Sequence, residues 1–168
     1  MSEHTVVLLV DMQERFVERL SSVVRERITK NQQRILSACA RHDIPVANIC
    51  YESYGTTIAP LAATVATVAR RVDLIKSSAD AFASTTLSRH LKEWSADRLL
   101  VMGINRSACV LETIRTALCL DYSVYSANDL IGDGTHFSWT ESRWALYRLR
   151  RAIHLEKTTD DLCIKLNI

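Results

Sequence analysis

Short, unbroken apolar runs alternate along this chain with longer segments in which apolar side chains recur at helical spacing. The first run, Thr5–Val10, is rich in β-branched residues, which is typical of a strand buried on both faces of a sheet. Five further strands are predicted at 44–51, 72–76, 98–103, 122–127 and 153–155. Helices are predicted at 22–41, 85–94, 109–120 and 139–151, with a final helical turn capped by Thr159 and a helix or irregular connection at 59–71.

Strands that alternate with helices through the whole chain predict a parallel, three-layer α/β/α sandwich, in a single domain that spans residues 1–168. In such folds, ligands bind beyond the carboxyl ends of the strands. Polar residues that directly follow the apolar runs are therefore the first candidates for a functional site. They are Asp11, Gln13, Tyr51, Glu52, Lys76, the segment 105–109, Asn128 and Asp129.

Cys109 is the most informative of these residues. It begins a predicted helix after an apolar run, so we expect its thiol at the positive end of the helix dipole. That position lowers the pKa of a thiol and supplies backbone N–H donors to an oxyanion. The alternative is a buried structural cysteine. We accept that alternative for the cysteines inside predicted strands and helices, Cys39, Cys50, Cys119 and Cys163.

A cysteine nucleophile needs a base to accept its proton and a cation to balance the local charge. Asp11 and Lys76 end two other apolar runs, and no histidine has a comparable position. The strand ends therefore favour a Cys–Asp–Lys set over a Cys–His pair. Each residue alone has an ordinary alternative, since Asp11 could cap the next turn and Lys76 could be a solvated strand end.

Composition narrows the class of protein. The 21 basic and 19 acidic residues are spread along the chain and leave a formal charge of +2, which does not suggest a nucleic-acid partner. No apolar run approaches the about 20 residues of a membrane span, and none has the form of a signal peptide. Five cysteines without framework spacing indicate reduced thiols. We expect a cytoplasmic protein with a small-molecule substrate and no membrane partner.

Three segments carry a specific combination of motifs. They are Asp11-Met-Gln-Glu-Arg-Phe16 after the first strand, Lys76 with Ala81-Phe82 and Leu87, and Gly103-Ile-Asn-Arg-Ser-Ala-Cys109-Val110. Their order and spacing resemble the isochorismatase-like cysteine hydrolases, a family that includes nicotinamidases, N-carbamoylsarcosine amidases and isochorismatases. The resemblance runs from about Thr5 to Leu166, nearly the whole chain.

The resemblance implies a Rossmann-like fold whose six-stranded parallel sheet has the order 3-2-1-4-5-6. It implies a catalytic triad of Asp11, Lys76 and Cys109, and a cis peptide bond between Ile104 and Asn105. The backbone N–H groups of Asn105 and Cys109 would then form the oxyanion hole. It also implies hydrolysis through a Cys109 thioester, without a cofactor, by a homo-oligomer.

The sequence departs from particular members of the family. Metal-dependent nicotinamidases carry an Asp-x-His pair and a further histidine after the second strand, whereas the segment 51–57 has none. The histidines at 4, 42, 90, 136 and 154 are scattered singly, so we expect no metal site. Nicotinamide therefore loses support as substrate, and isochorismate does so because the chain is short for the family and has no fused carrier-protein domain. The expected reaction is C–N bond cleavage in a small amide, imide or ureido compound.

The expected substrate pocket is largely aromatic. Its walls should come from residues that end or follow strands at the active edge: Phe16, Tyr51, Tyr54, Phe82, Asn105 and His136. Such an enclosure suits a flat, neutral amide. Arg106 leaves two possibilities open, since an inward guanidinium would favour a substrate carboxylate and an outward one would face solvent or a neighbouring subunit. A second hypothesis for the whole chain is a catalytically idle relative that acts as a binding or scaffold protein.

Overall fold

The structure is a computed structural model that describes residues 4–134, 149 and 152–168. Within these ranges the strands are β1 (Thr5–Val10), β2 (Val46–Tyr51), β3 (Arg71–Lys76), β4 (Arg98–Gly103), β5 (Ser123–Ala127) and β6 (His154–Glu156). The helices are α1 (Glu14–Val17), α2 (Ser22–His42), α3 (Ala59–Val65), α4 (Leu87–Glu93), α5 (Cys109–Cys119) and α6 (Thr159–Leu166). The helix predicted at 139–151 lies outside the described residues, apart from its position 149.

The six strands form one sheet in the order β3-β2-β1-β4-β5-β6, and every neighbouring pair is parallel. The predicted sheet order and α/β class are confirmed. The chain builds outward from β1 to β3, crosses back to β4 and then builds outward to β6. Right-handed crossovers in these two directions place α2 and α3 on one face of the sheet and α5 on the other.

β1 lies at the centre of this sheet, between β2 and β4. All six of its residues are buried, which explains why its sequence is continuously apolar rather than alternating. Its register joins Val10 to Ile49 of β2 and to Gly103 of β4. The ends of these three strands therefore lie side by side, and the residues that follow them share one edge. In the described part of the chain, no helix has the length and apolar character needed to cross a membrane.

The last helix begins one residue earlier than the capping prediction requires. Thr158, not Thr159, is the N-cap: its hydroxyl oxygen accepts the Asp161 N–H, while the Asp161 carboxylate accepts the Thr158 N–H. Thr159 is buried inside the first turn, and its hydroxyl donates to Asp129 at 2.8 Å. The prediction was wrong by one position because two consecutive threonines offer the same capping group, and only the Asp161 carboxylate distinguishes them.

Candidate active site

Asp11 lies at the turn that ends β1. Its backbone is in the left-handed region, with φ of 53°, and its N–H donates to the Ile49 carbonyl at 2.8 Å. The Asp11 carbonyl in turn accepts the Gln13 N–H at 2.8 Å, so the chain reverses direction within two residues. Aspartate is among the few residues that tolerate this conformation. The turn leaves the Asp11 carboxylate in the interior at the carboxyl edge of the sheet.

Lys76 ends β3 and crosses the end of β2 to reach Asp11. Its Nζ lies 2.9 Å from Asp11 Oδ2, and the two side chains are 0% and 1% exposed. The ammonium also donates to the carbonyls of Ser78 at 2.9 Å and Ala79 at 3.4 Å. Since all three of these oxygen partners are fixed by the fold, the Lys76 charge is held at a defined point.

Cys109 is the first residue of α5, as the sequence predicts, and it is 6% exposed. The expected decrease in its thiol pKa is wrong. Burial, reinforced by the nearby negative charge of Asp11, raises the pKa of the Cys109 thiol to about 11, and Lys76 opposes this shift only in part. The dipole of α5 is outweighed because the thiol lies in the interior beside a carboxylate.

The Asp11 carboxyl group is shifted in the same direction. Burial raises its pKa above the ordinary value, and the favourable charge of Lys76 does not fully offset that cost. A carboxylate with a raised pKa is a stronger base than an exposed aspartate. The arrangement therefore holds a neutral thiol next to a base that can accept its proton when a substrate arrives.

The turn between β4 and α5 contains Asn105 and leads into Cys109. The peptide bond between Ile104 and Asn105 is cis, and the Asn105 carbonyl accepts the N–H groups of Ala108 and Val110 at 3.2 and 3.0 Å. Within the part of the chain that the structure describes, the N–H groups of Asn105 and Cys109 have no hydrogen-bond acceptor. They are therefore able to bind an oxyanion.

Gly103 allows this turn to lie against β1. Its φ is 139°, and a Cβ atom at this position would overlap the backbone of Val10. Only glycine combines that conformation with so close an approach. On the other side of the turn, Asn105 Oδ1 accepts the Gly134 N–H at 3.0 Å, which fixes the Asn105 side chain against the loop after β5.

Three of the predicted pocket residues form one aromatic cluster, which consists of Phe16, Tyr51 and Tyr54. The ring centroids of Phe16 and Tyr54 are 4.9 Å apart, and those of Tyr51 and Tyr54 are 5.6 Å apart. The Tyr51 ring reaches the candidate triad, because Lys76 Nζ lies 4.4 Å from its centroid. This cluster therefore forms a wall beside the Asp11–Lys76 pair.

Two other pocket predictions have a different outcome. Phe82 is not in ring contact with the aromatic cluster; its ring stacks on Tyr122 at a centroid distance of 6.3 Å. Phe82 follows β3 by six residues, and the intervening segment carries it towards α5 and β5. His136 lies outside the described residues.

Gln13 has a role that sequence reasoning did not assign, although its position after β1 drew attention to it. It is fully buried, and its side-chain amide pairs with the backbone of Tyr51, accepting the N–H at 2.8 Å and donating to the carbonyl at 2.9 Å. It also donates to the Gly55 carbonyl. Gln13 thus fixes both ends of the segment that carries Tyr51 and Tyr54.

The half-buried Arg106 side chain is directed at the loop after β5. Its guanidinium donates to the carbonyls of Asn128 and Ile131, each at 3.0 Å, and its N–H donates to Gly132 at 2.9 Å. These contacts fasten the turn before α5 to the loop after β5. The guanidinium lines a cavity of about 730 Å³ together with residues of α2 and the loop 131–133. Neither Asp11, Lys76 nor Cys109 lines that cavity.

Within 4–134, 149 and 152–168, no group of three or more histidine, cysteine, aspartate or glutamate side chains could hold a metal ion.

Comparison by sequence identifies one family. The model of the Isochorismatase domain matches residues 5–156, which is most of the chain. No curated protein sequence matches this chain.

Comparison by structure finds solved proteins with the same fold. The MAR1 ribonuclease from Caenorhabditis elegans superposes with a TM-score of 0.83 at 18% identity, over 98% of this chain and 82% of that one. The nicotinamidase SaPncA from Staphylococcus aureus gives a TM-score of 0.80 at 18% identity, over 92% of this chain and 98% of that one. N-carbamoylsarcosine amidase from Thermoplasma acidophilum gives a TM-score of 0.75 at 16% identity, over 92% of this chain and 96% of that one.

Proposed function

Because the chain belongs to the isochorismatase family, whose members are cysteine hydrolases acting on amides, we propose that it hydrolyses a C–N bond of a small amide, imide or ureido compound. The observation that carries the proposal is the convergence of the buried Asp11–Lys76 ion pair with the Cys109 thiol at the carboxyl edge of the sheet. Cys109 is the nucleophile, Asp11 the general base and acid, and Lys76 the cation that holds Asp11 in place.

The first half of the reaction forms a thioester. Asp11 accepts the thiol proton as Cys109 Sγ attacks the substrate carbonyl carbon, and the carbonyl oxygen gains negative charge. The N–H groups of Asn105 and Cys109 donate to that oxygen. Asp11 then gives its proton to the substrate nitrogen, the C–N bond breaks, and the amine leaves.

The second half returns the free enzyme. Asp11, again a carboxylate, accepts a proton from water as the water oxygen attacks the thioester carbon. The C–S bond breaks and the proton passes to the Cys109 sulfur. An amide thus gives a carboxylic acid and an amine or ammonia, an imide gives an acid and an amide, and a ureido compound gives a carbamic acid and an amine or ammonia. Lys76 holds Asp11 in place during both halves of the reaction, since its ammonium binds Asp11 and two backbone carbonyls.

The surroundings of the triad support a neutral, flat substrate. The aromatic cluster provides ring faces beside the Lys76 ammonium, and the Arg106 guanidinium is bound to backbone carbonyls rather than directed at Cys109. The ring area of the cluster suits an aromatic or heteroaromatic amide, and the charges of Lys76 and Arg15 lie against it, with the Arg15 guanidinium carbon 5.1 Å from the Tyr54 ring centroid.

The test is a panel of aromatic and aliphatic amides, with the matched carboxylic acids as ligand controls, assayed by release of ammonia. We expect turnover of at least one aromatic amide, and a loss of at least about 1000-fold in Cys109→Ala, since nucleophilic catalysis requires the thiol. Binding of the acids alone would contradict the neutral-amide assignment. No turnover by a folded wild-type protein across the panel would support the idle binding protein instead.

The proposed assembly is a homo-oligomer. Ile75 supports this proposal. It is a large apolar side chain that is 70% exposed on the edge strand β3, where a second copy of the chain could cover it. Light scattering should give a mass that is a multiple of 19.0 kDa, and a monomer mass at micromolar concentration would contradict it.

A further inference from the structure

We propose that Thr113 is a positioning residue that sets where the Lys76 ammonium lies relative to the Cys109 thiol. The proposal rests on the function proposed above, since it matters for catalysis only if Lys76 and Cys109 act together. Among the described residues, no hydrogen bond or ion pair joins Thr113 to Asp11, Lys76 or the Cys109 thiol. It acts through the segment 77–86, which connects β3 to α4.

The segment 77–86 orients the Lys76 side chain. Besides Asp11, the ammonium binds the carbonyls of Ser78 at 2.9 Å and Ala79 at 3.4 Å, both in the segment 77–86. A lysine side chain has many rotamers, and its charge lies where its hydrogen-bond acceptors hold it. A shift of these two carbonyls would therefore shift the ammonium.

Two hydrogen bonds attach this segment to α5. The Ala81 N–H donates to Thr113 Oγ1 at 3.1 Å, and both residues are 0% exposed. Because the site is closed to water, the Thr113 hydroxyl is the acceptor on which that buried N–H depends. A second link lies nearer the surface, where the Thr116 hydroxyl donates to Asp80 Oδ2 at 2.8 Å.

Thr113 lies on the same helix as the nucleophile. It follows Cys109 by four residues, so the two side chains lie on one face of α5, and both are buried. The helix that presents the nucleophile therefore also holds the segment that orients the cation. A displacement of α5 therefore moves Cys109 and the carbonyls that bind Lys76 together. The distance between the Cys109 thiol and the Lys76 ammonium is thereby maintained.

This separation controls the chemistry of the thiol. Burial and Asp11 raise the pKa of Cys109, and Lys76 is the charge that opposes them. An ammonium that moves away from Cys109 leaves the thiolate less stabilised, so less thiolate is present at a given pH. It also weakens the hold on Asp11 during proton transfer, which lowers kcat more than it changes substrate binding.

The experiment compares Thr113→Val, which keeps the shape but removes the acceptor, with Thr113→Ser, which keeps the hydroxyl. Thr64→Val is the matched control, because the Thr64 hydroxyl bonds only to the Pro60 carbonyl on the exposed side of α3. The rate of Cys109 alkylation by iodoacetamide is measured by peptide mass spectrometry from pH 7 to 10, without any substrate. The values of kcat and KM are measured with an amide that the wild type hydrolyses.

In Thr113→Val we expect about tenfold slower alkylation of Cys109 at each pH, equivalent to about one unit of thiol pKa, and a fall in kcat with little change in KM. Thr113→Ser should restore both, and Thr64→Val should match the wild type. Thr116→Val, which loosens only the outer link, should give a smaller change in the same direction and substitutes for Thr113→Val if that variant does not fold. Unchanged alkylation in Thr113→Val, or in Thr116→Val where it substitutes, would overturn the proposal. The alkylation result stands even if no amide is hydrolysed, so failure of the proposed function would be recognised separately.

Discussion

The Lys76 ammonium and the Asp11 carboxylate face each other across 2.9 Å, with their side chains 0% and 1% exposed. Asp11 follows β1 and Lys76 ends β3, and these two strands are not neighbours, since β2 lies between them. Removal of either charge leaves the other buried without its counterion. The pair therefore couples the stability of the fold to the chemistry of the site.

Removal of one partner should destabilise the protein strongly. We expect Asp11→Asn and Lys76→Met each to lower the free energy of unfolding by about 3–5 kcal/mol, because each leaves an uncompensated buried charge. The double variant should lose less than the sum of the two, and urea unfolding of all four proteins gives the coupling. Additive losses would show that the two charges do not depend on each other.

Iodoacetamide should modify Cys119 of the free protein before it modifies the candidate nucleophile Cys109. Cys119 is exposed at the end of α5, whereas Cys109 is buried with its pKa raised to about 11. Iodoacetamide at pH 7 should therefore modify Cys119 before Cys109, contrary to what a helix-terminal thiol alone would suggest. Peptide mass spectrometry over time gives the order. Faster modification of Cys109 would mean that its thiolate is populated in the resting state.

The pH dependence of kcat/KM should show the raised pKa of Asp11. Asp11 acts as a base only when deprotonated, so activity falls as the pH falls through its folded-state pKa. Because burial raises that pKa, the acid limb should lie above the about 3.9 of an ordinary aspartate. Rates measured from pH 4 to 9 test this. An acid limb at or below the ordinary value would contradict the assignment of Asp11 as a desolvated base.

Loss of the Gln13 amide should disturb the aromatic cluster more than the triad. In Gln13→Ala, the backbone N–H and carbonyl of Tyr51 lose their partners, at a cost of about 1–3 kcal/mol for each group left unsatisfied. KM should rise while the rate of Cys109 alkylation stays near that of the wild type. Gln33→Ala is a suitable control, since Gln33 bonds only to the exposed Pro60 carbonyl. A fall in kcat alone would place Gln13 in the chemical step.

Activity should survive removal of divalent metal ions. The segment after Tyr51 contains no histidine, and the histidines of the chain are not spaced as a ligand set. Rates should be equal before and after dialysis against EDTA, with elemental analysis of the purified protein as the control. Stoichiometric zinc together with lost activity after dialysis would contradict this expectation.

The sequence was most informative where one local property decides the structure. Runs of apolar, β-branched residues located β1 and β4 to the residue, because burial on both faces leaves no room for polar side chains. The ends of β1 and β3 indicated Asp11 and Lys76 as candidate site residues, since parallel strands must bring their carboxyl ends to one edge.

Properties that depend on several distant neighbours were not accessible in this way. The dipole of α5 follows from the sequence, but the burial of Cys109 and its closeness to Asp11 depend on how separate elements pack, and they reverse the pKa shift. Phe82 follows its strand as Tyr54 does, yet packs against Tyr122. Thr113 carries a recognisable signal, a polar residue in the apolar stripe of a helix, although its partner is a backbone group without any sequence signature.

The position of Lys76 has a consequence for motions of the protein. β3 is an edge strand of the described sheet, and only Leu74 and Lys76 of its six residues are buried. Outer strands with so little buried surface detach transiently more often than central ones. Each such opening would carry the ammonium out of the interior and leave Asp11 alone. The competent form of the site therefore persists only as long as its least protected strand stays closed, and amide hydrogen exchange along β3 measures that lifetime.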